Sequence, residues 1–166
     1  MTDVTLILGG ARSGKSRRGL EISDIAPRTF VATAEPLDVE MGERIALHQA
    51  ERGPEWGIIE APLRIREIVE AHQAGTLLID CLTLWLNNLI YYEHDVEREA
   101  QALLGALQQS RGKIVLVSNE VGLSIAPENA LARRFRDAQG RLNQQVAAVA
   151  DRVEFIAAGL PMVLKG

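Results

Sequence analysis

The chain reads as an α/β protein: a single P-loop domain in which a mostly parallel central sheet carries helices on both faces. Three observations predict this. Strand-like apolar runs alternate with helix-like stretches from one end to the other, and that rhythm gives parallel strands joined by crossover helices. The first apolar run passes at once into Gly9-Gly10-Ala11-Arg12-Ser13-Gly14-Lys15-Ser16, of the form G-x-x-x-x-G-K-S, which belongs at a strand-to-helix junction. The length, 166 residues, fits one such core without a second.

Taken in order, a strand over 4–8 leads into a helix ending near 23. A strand over 29–33 precedes a helix from 38 to 52, and a strand over 57–60 precedes a helix over 63–74. Next come a strand over 76–80, a helix to 89, a second helix from 96 to 110 and a strand over 114–118. A long helix over 127–150 follows, with Pro127 in its first turn, where the missing N–H has no partner to lose. A strand over 153–157 and a short added strand at 162–164 complete the chain. In sheets of this kind ligands gather at the carboxyl ends of the strands. That draws attention to Ala32-Thr33-Ala34-Glu35 and Ser118-Asn119-Glu120, each equally readable as ordinary polar loop.

A net charge of −4 and a pI near 5.4 leave no electrostatic footprint for a polyanion, so nucleic acid is not an expected partner. Arg17-Arg18 and Arg133-Arg134 read as solvated helix faces. The one cysteine, Cys81, forms no intrachain disulfide and reads as a small packed side chain. No basic segment followed by an apolar stretch of signal-peptide length opens the chain, which points to the cytoplasm. The apolar runs fall well short of the ~18 residues needed to span a bilayer.

The glycine-rich loop implies that nucleotide phosphates are held. Its glycines let successive N–H groups turn inward around an anion, Lys15 reaches the β- and γ-phosphates, and the Ser16 hydroxyl is placed to ligand Mg²⁺. The helix that starts beside it adds its positive end. Such sites add an acid at the end of an apolar strand. Thr76-Leu77-Leu78-Ile79-Asp80 has that form, so Ser16 and Asp80 are the expected metal residues, although an Asp there also suits a helix N-cap. Among the histidines, His72 and His94 read as solvated. Met41, Ile45, His48 and Arg52 recur at helical spacing, which on spacing alone makes His48 a packed residue. The alternative is a nucleophile toward phosphorus, with Arg52 facing phosphate oxygens.

Beyond the loop, the quoted features continue as Ala32-Thr33-Ala34, Asp80-Cys81-Leu82-Thr83-Leu84-Trp85, Asn119-Glu120-Val121-Gly122, Pro127-Glu128-Asn129, Leu131-Ala132-Arg133, Phe135-Arg136-Asp137, Gly140-Arg141 and Asn143-Gln144. Over nearly the whole chain these motifs resemble the bifunctional adenosylcobinamide kinase/adenosylcobinamide-phosphate guanylyltransferases of cobalamin biosynthesis. The resemblance implies that His48 is the residue that becomes guanylylated. It also implies GTP contacts at Gly9 to Ser16, at Thr33, Ala34 and Glu35, at Gln49, Ala50, Glu51 and Arg52, at Glu60 and at Asp80. GTP and ATP are the implied nucleotide substrates, with adenosylcobinamide and its phosphate as acceptors. Glu60, Asp80 and Glu120 remain equivalent candidates for the kinase half. A homo-oligomer, a trimer, is implied as well, and Leu82-Thr83-Leu84-Trp85-Leu86 reads either as a contact surface or as core. Two rivals stand beside this reading. One is a plain P-loop small-molecule kinase; the other is a GTP-binding switch, for which no N-K-x-D or D-x-x-G signature is present.

Overall fold

β1 (Asp3–Gly9) is buried from its second residue onward because it runs between two parallel neighbours, β5 (Lys113–Asn119) and β6 (Arg152–Ala157). Near-continuous apolar runs such as Val4 to Leu8, broken only by Thr5, suit a strand covered on both faces. The computed structural model describes residues 2–35, 39 and 53–166; the expected helix over 38–52 therefore lies outside the described residues apart from position 39. The remaining strands are β2 (Arg28–Ala32), β3 (Trp56–Glu60), β4 (Thr76–Asp80) and β7 (Leu160–Lys165). They form one seven-stranded sheet in the order β3-β2-β4-β5-β1-β6-β7. Every pairing is parallel except β6 with β7.

The described helices are α1 (Lys15–Ile22), α2 (Ile65–Ala71), α3 (Leu82–Tyr91), α4 (Val96–Gln108) and α5 (Ala130–Val149). Side chains alternate across the sheet. Val4, Leu6 and Leu8 of β1 join the large core with residues of α2, α3, α4 and α5. Ile7 points the other way, into a smaller cluster with Phe30, Leu78, Val115 and Val117, against which Leu20 and Ile22 of α1 pack. The expected two-faced sheet is thus present. The Leu82 to Leu86 segment resolves as core, with Trp85 1% exposed and Leu82 and Leu86 fully buried.

Two helix starts are set by side-chain caps. Asp95 caps α4 by accepting from Arg98 N, and Glu97 and Glu99 sit in its first turn, where acids favour the helix dipole. Asn129 caps α5 by accepting from Leu131 N and Ala132 N. This corrects the expected helix start at Pro127: the cap holds the chain extended at Asn129, so Pro127 stays in the preceding loop and its carbonyl accepts from Arg133. α2 is likewise shorter than the expected 63–74. The last strand is longer than expected, six residues, because Ala158 (φ 51°) and Gly159 (φ 77°) form a two-residue turn with both φ values positive, the geometry that matches the twist of a hairpin.

Two readings of charged residues change. Arg18 is not a solvated cation: its guanidinium makes a two-pronged contact with Glu154, Nε to Oε2 at 2.8 Å and Nη2 to Oε1 at 2.9 Å. Arg152 Nε adds a third bond at 2.9 Å. Glu154 is fully buried on β6, so the pair ties α1 to the sheet. His72 is half-buried rather than solvated, and its Nε2 lies 3.3 Å from the Gly75 carbonyl oxygen.

The hydrogen bonds from Arg18, more than those from Arg152, hold the Glu154 carboxyl below the usual glutamate range despite its burial. A depressed folded-state pKa stabilises above the unfolded value of ~4.3, and that contribution is lost as pH falls through the folded value. Glu154→Gln is therefore expected to lower stability by about 2 kcal/mol at pH 7. In urea denaturation the gap between wild type and variant should close as pH drops below that of an ordinary glutamate.

Candidate active site

The loop after β1 has little freedom. A Cβ on Gly9 would lie 2.6 Å from the Ile156 carbonyl oxygen and 2.7 Å from Ser13 Oγ, so only glycine fits there. Gly14, at φ 101°, precedes the first residue of α1, a conformation glycine adopts without steric cost. Arg12 is exposed and takes a positive φ of 54°. Both ends of the loop are pinned by backbone hydrogen bonds. Glu120 N donates to Gly9 O at 3.0 Å, and Gly159 N, in the β6–β7 turn, donates to Ser13 O at 2.8 Å. Lys15 is buried; its ammonium donates to Gly10 O and, at 3.5 Å, to Ser13 Oγ. Burial draws its pKa below the usual lysine value, and the Asp80 carboxylate opposes that shift. The Lys15 ammonium is thus near enough to the end of β4 to feel the Asp80 charge.

Register gathers the second half. Ala32 is opposite Asp80 on one side and Glu60 on the other, so the ends of β2, β3 and β4 lie together at the carboxyl edge. Thr33 behaves differently from its neighbours. It is fully buried, and its Oγ1 both donates to Cys81 O at 2.7 Å and accepts from Cys81 N at 2.8 Å. Its own N–H donates to Asp80 O at 3.3 Å. The Thr33 side chain is thus spent on aligning β2 with the Asp80 turn, leaving Ala34 and Glu35 half-exposed beyond it. Glu35 Oε2 accepts from Tyr92 OH at 2.9 Å.

Asn88 was not singled out by sequence. Its Nδ2 donates to Thr33 O at 2.8 Å and Pro62 O at 3.0 Å, so one buried amide clamps the chain just beyond β2 and β3. The available signal was a polar residue three positions after Trp85 in a mostly apolar helix, hence on the buried face. Glu60 is exposed and borders a cleft of about 540 Å³ lined by Ile59, Ala61, Pro62, Leu63 and Ile68. Glu120 Oε1 accepts from Gly122 N at 2.8 Å. Burial pushes the Cys81 thiol up to about 12, consistent with a packing role. His48, Gln49, Ala50, Glu51 and Arg52 lie outside the described residues.

Ser16 and Asp80 make no hydrogen bond through their side chains to any described residue. A hydroxyl and a carboxylate oxygen are suitable donors for Mg²⁺, which takes few protein ligands and completes its shell with phosphate and water. Among the described residues no cluster of three or more His, Cys, Asp or Glu is assembled. None of the described helices is long and apolar enough to cross a membrane.

A glycine loop at the end of a central parallel strand, with a buried lysine facing an acid on a second strand, defines a P-loop nucleotide-binding enzyme. The fold agrees: the crystal structure of the flagellar accessory protein FlaH from Methanocaldococcus jannaschii matches with a TM-score of 0.51 over 98% of this chain and 78% of that chain, at 13% identity. The family is narrower. Residues 5–164 match the model described as cobinamide kinase / cobinamide phosphate guanyltransferase, and the chain belongs to that family. It is 46% identical to the bifunctional adenosylcobalamin biosynthesis protein CobP of Pseudomonas aeruginosa, covering 97% of this chain and 96% of that protein. It is 37% identical to the protein of Salmonella typhimurium named CobU, over 96% of this chain and 98% of the relative.

Removing the Asn88 amide leaves the Thr33 and Pro62 carbonyls unpaired. Asn88→Ala is expected to destabilise by about 2–6 kcal/mol in urea denaturation, at ~1–3 kcal/mol for each of two unsatisfied buried groups, and to weaken GTP binding measured calorimetrically below the melting transition.

Proposed function

We propose that the chain carries out two transfers at one nucleotide site. In the first, a nucleoside triphosphate, ATP or GTP, phosphorylates the hydroxyl on the aminopropanol arm of adenosylcobinamide. In the second, GMP passes from GTP to adenosylcobinamide phosphate, giving adenosylcobinamide-GDP and pyrophosphate. The single observation that carries the reading is the pinned glycine loop with Lys15 facing Asp80 across the carboxyl edge of the sheet. Family membership supplies the substrates.

In the GMP transfer, a neutral ring nitrogen of His48 attacks the α-phosphorus of GTP. The bond from the α-phosphorus to the bridging oxygen breaks, and pyrophosphate departs with that electron pair. An oxygen of the acceptor's phosphate then attacks the same phosphorus; the P–N bond breaks and the imidazole recovers its electron pair. Splitting the transfer in this way exchanges one difficult displacement for two easier ones. The loop amides and Lys15 offer donors to the oxygens where charge develops. Bound at Ser16 and Asp80, Mg²⁺ supplies further neutralisation of the phosphate charge. Gly9 to Ser16, Ala34, Glu35, Gln49 to Arg52, Glu60 and Asp80 form the proposed nucleotide contacts, with Thr33 supporting them through Cys81.

Incubation with GTP labelled at the α-phosphate is expected to leave an acid-labile covalent label on wild type and none on His48→Ala. A label that survives the substitution would overturn the role of His48, and no label on wild type while phosphoryl transfer proceeds would favour a plain kinase.

The proposal includes a cytoplasmic homotrimer with the corrinoid between subunits. Exposed apolar residues such as Leu123 at 83%, Ile125 at 94% and Leu160 at 70% support association. Sedimentation equilibrium is expected to return three times the 18.2 kDa chain mass; a monomer at micromolar concentration would contradict it.

A further inference from the structure

The strand order places β5 between β1, which carries the glycine loop, and β4, which carries Asp80. A group at the carboxyl end of β5 therefore stands between the two halves of the nucleotide site. That group is Asn119, opposite Gly9 in register, while Asp80 lies opposite Val117 two residues earlier. Val115 and Val117 pack into the cluster on the α1 side of the sheet, and Ser118 turns toward α5, where its Oγ donates to Asn143 Oδ1 at 2.7 Å. By alternation Asn119 leaves the strand on the α1 side. Asp80, two residues after Leu78 of the same cluster, leaves on that side too.

The Asn119 peptide is held from several directions. Its N–H donates to Thr83 Oγ1 at 2.9 Å, and its carbonyl accepts from Asn143 Nδ2 at 3.1 Å. The next residue's N–H is bonded to Gly9 O. Asn143 is itself fixed, since Gln139 Nε2 donates to its Oδ1 at 2.9 Å and to Ser118 Oγ at 3.0 Å. Ser118 and Gln139 are fully buried and Asn143 is 5% exposed. An apolar trio would fill this space without the desolvation of three polar side chains; it would not hold the Asn119 carbonyl. Against this rigid support, the half-buried Asn119 carboxamide makes no hydrogen bond to any described residue.

We propose that the Asn119 carboxamide is a catalytic contact: its Nδ2–H donates to a β- or γ-phosphate oxygen of the bound nucleoside triphosphate, between Lys15 and Asp80. Asn143 is the positioning residue behind it. A neutral amide suits the place, offering a donor to phosphate without setting a second anion beside Asp80. This rests on the reading above, in which one cradle holds the β- and γ-phosphates for both transfers. It adds a residue that neither the glycine loop nor the acid supplies.

The test compares GTP with GMP, which lacks the β- and γ-phosphates. For Asn119→Ala, calorimetry is expected to show GTP affinity reduced about tenfold, in keeping with loss of one hydrogen bond to a charged group, and GMP affinity unchanged. The kcat of both transfers should fall about a hundredfold, the scale set by removing one transition-state donor, with KM for adenosylcobinamide unaltered. Asn119→Asp keeps the shape and the backbone bonds but has no N–H to donate, and is expected to lose at least as much. Asn143→Ala should cost less alone and add nothing to Asn119→Ala in the double variant. Equal weakening of GTP and GMP, an unchanged kcat in Asn119→Ala, or a fully active Asn119→Asp would overturn the proposal. Because the binding comparison needs no acceptor, failure of GMP transfer by wild type would count against the proposed function alone.

Discussion

A phosphate cradle built from backbone N–H groups works only if the backbone cannot rearrange around a different shape, and this constraint organises the carboxyl edge of the sheet. The amides between Gly9 and Ser16 have no side chains to aim them. Their direction comes from the two ends of the loop, Gly9 O held by Glu120 N and Ser13 O held by Gly159 N. One clamp comes from β5 and the other from the hairpin that adds β7. The loop is thus suspended between the two neighbours of its own strand. A third attachment acts through α1, since Arg18 anchors the helix to buried Glu154 on β6. Preorganisation of this kind lets donors meet developing charge without first moving.

The same logic explains where the chain places its buried polar groups. Thr33, Asn88, Ser118, Gln139 and Asn143 are all buried, and all lie at or just beneath the ends of β2, β4 and β5. Each has a backbone group or another member of the set as its partner. Buried polar groups are expensive unless bonded. Here they join strand ends that the sheet's own ladder no longer holds, where apolar packing would fix depth without fixing direction. Below this layer the interior is mainly apolar on both faces, with Glu154, buried and bonded by its arginines, as the charged exception.

Much of this architecture was legible because its signals are local. The glycine loop, the strand ending in Asp80 and the alternation of runs depend on neighbours in sequence, and the described strands fall within a few residues of the expected positions. Strand order is not local. Nothing in the runs themselves says that β5, fifth in sequence, inserts between β1 and β4, so the proximity of Asn119 to the loop was invisible although the residue stood out at a strand end. Thr33 illustrates a second limit. A polar residue after a strand looks available to a ligand, yet its hydroxyl closes on Cys81, a partner 48 positions away. Pro127 illustrates a third: a proline suits a first helical turn, but the capping side chain of Asn129 decides where α5 begins.

The two proposed transfers make different demands on one cradle. Attack at the γ-phosphorus leaves a nucleoside diphosphate, so negative charge grows on the β-phosphate; attack at the α-phosphorus leaves pyrophosphate, and charge grows on the same β-group from its other side. In both cases the β-phosphate is part of the leaving group. Donors directed at that position, the loop amides and Lys15, can therefore serve both reactions without moving, whereas the attacking groups must approach from opposite ends of the triphosphate. A single rigid loop is compatible with two chemistries because the shared element is the leaving group. On this argument the residues that distinguish the half-reactions lie outside the loop, toward the α-phosphate for GMP transfer and beyond the γ-phosphate for phosphorylation. The fixed strand ends supply the common floor between them.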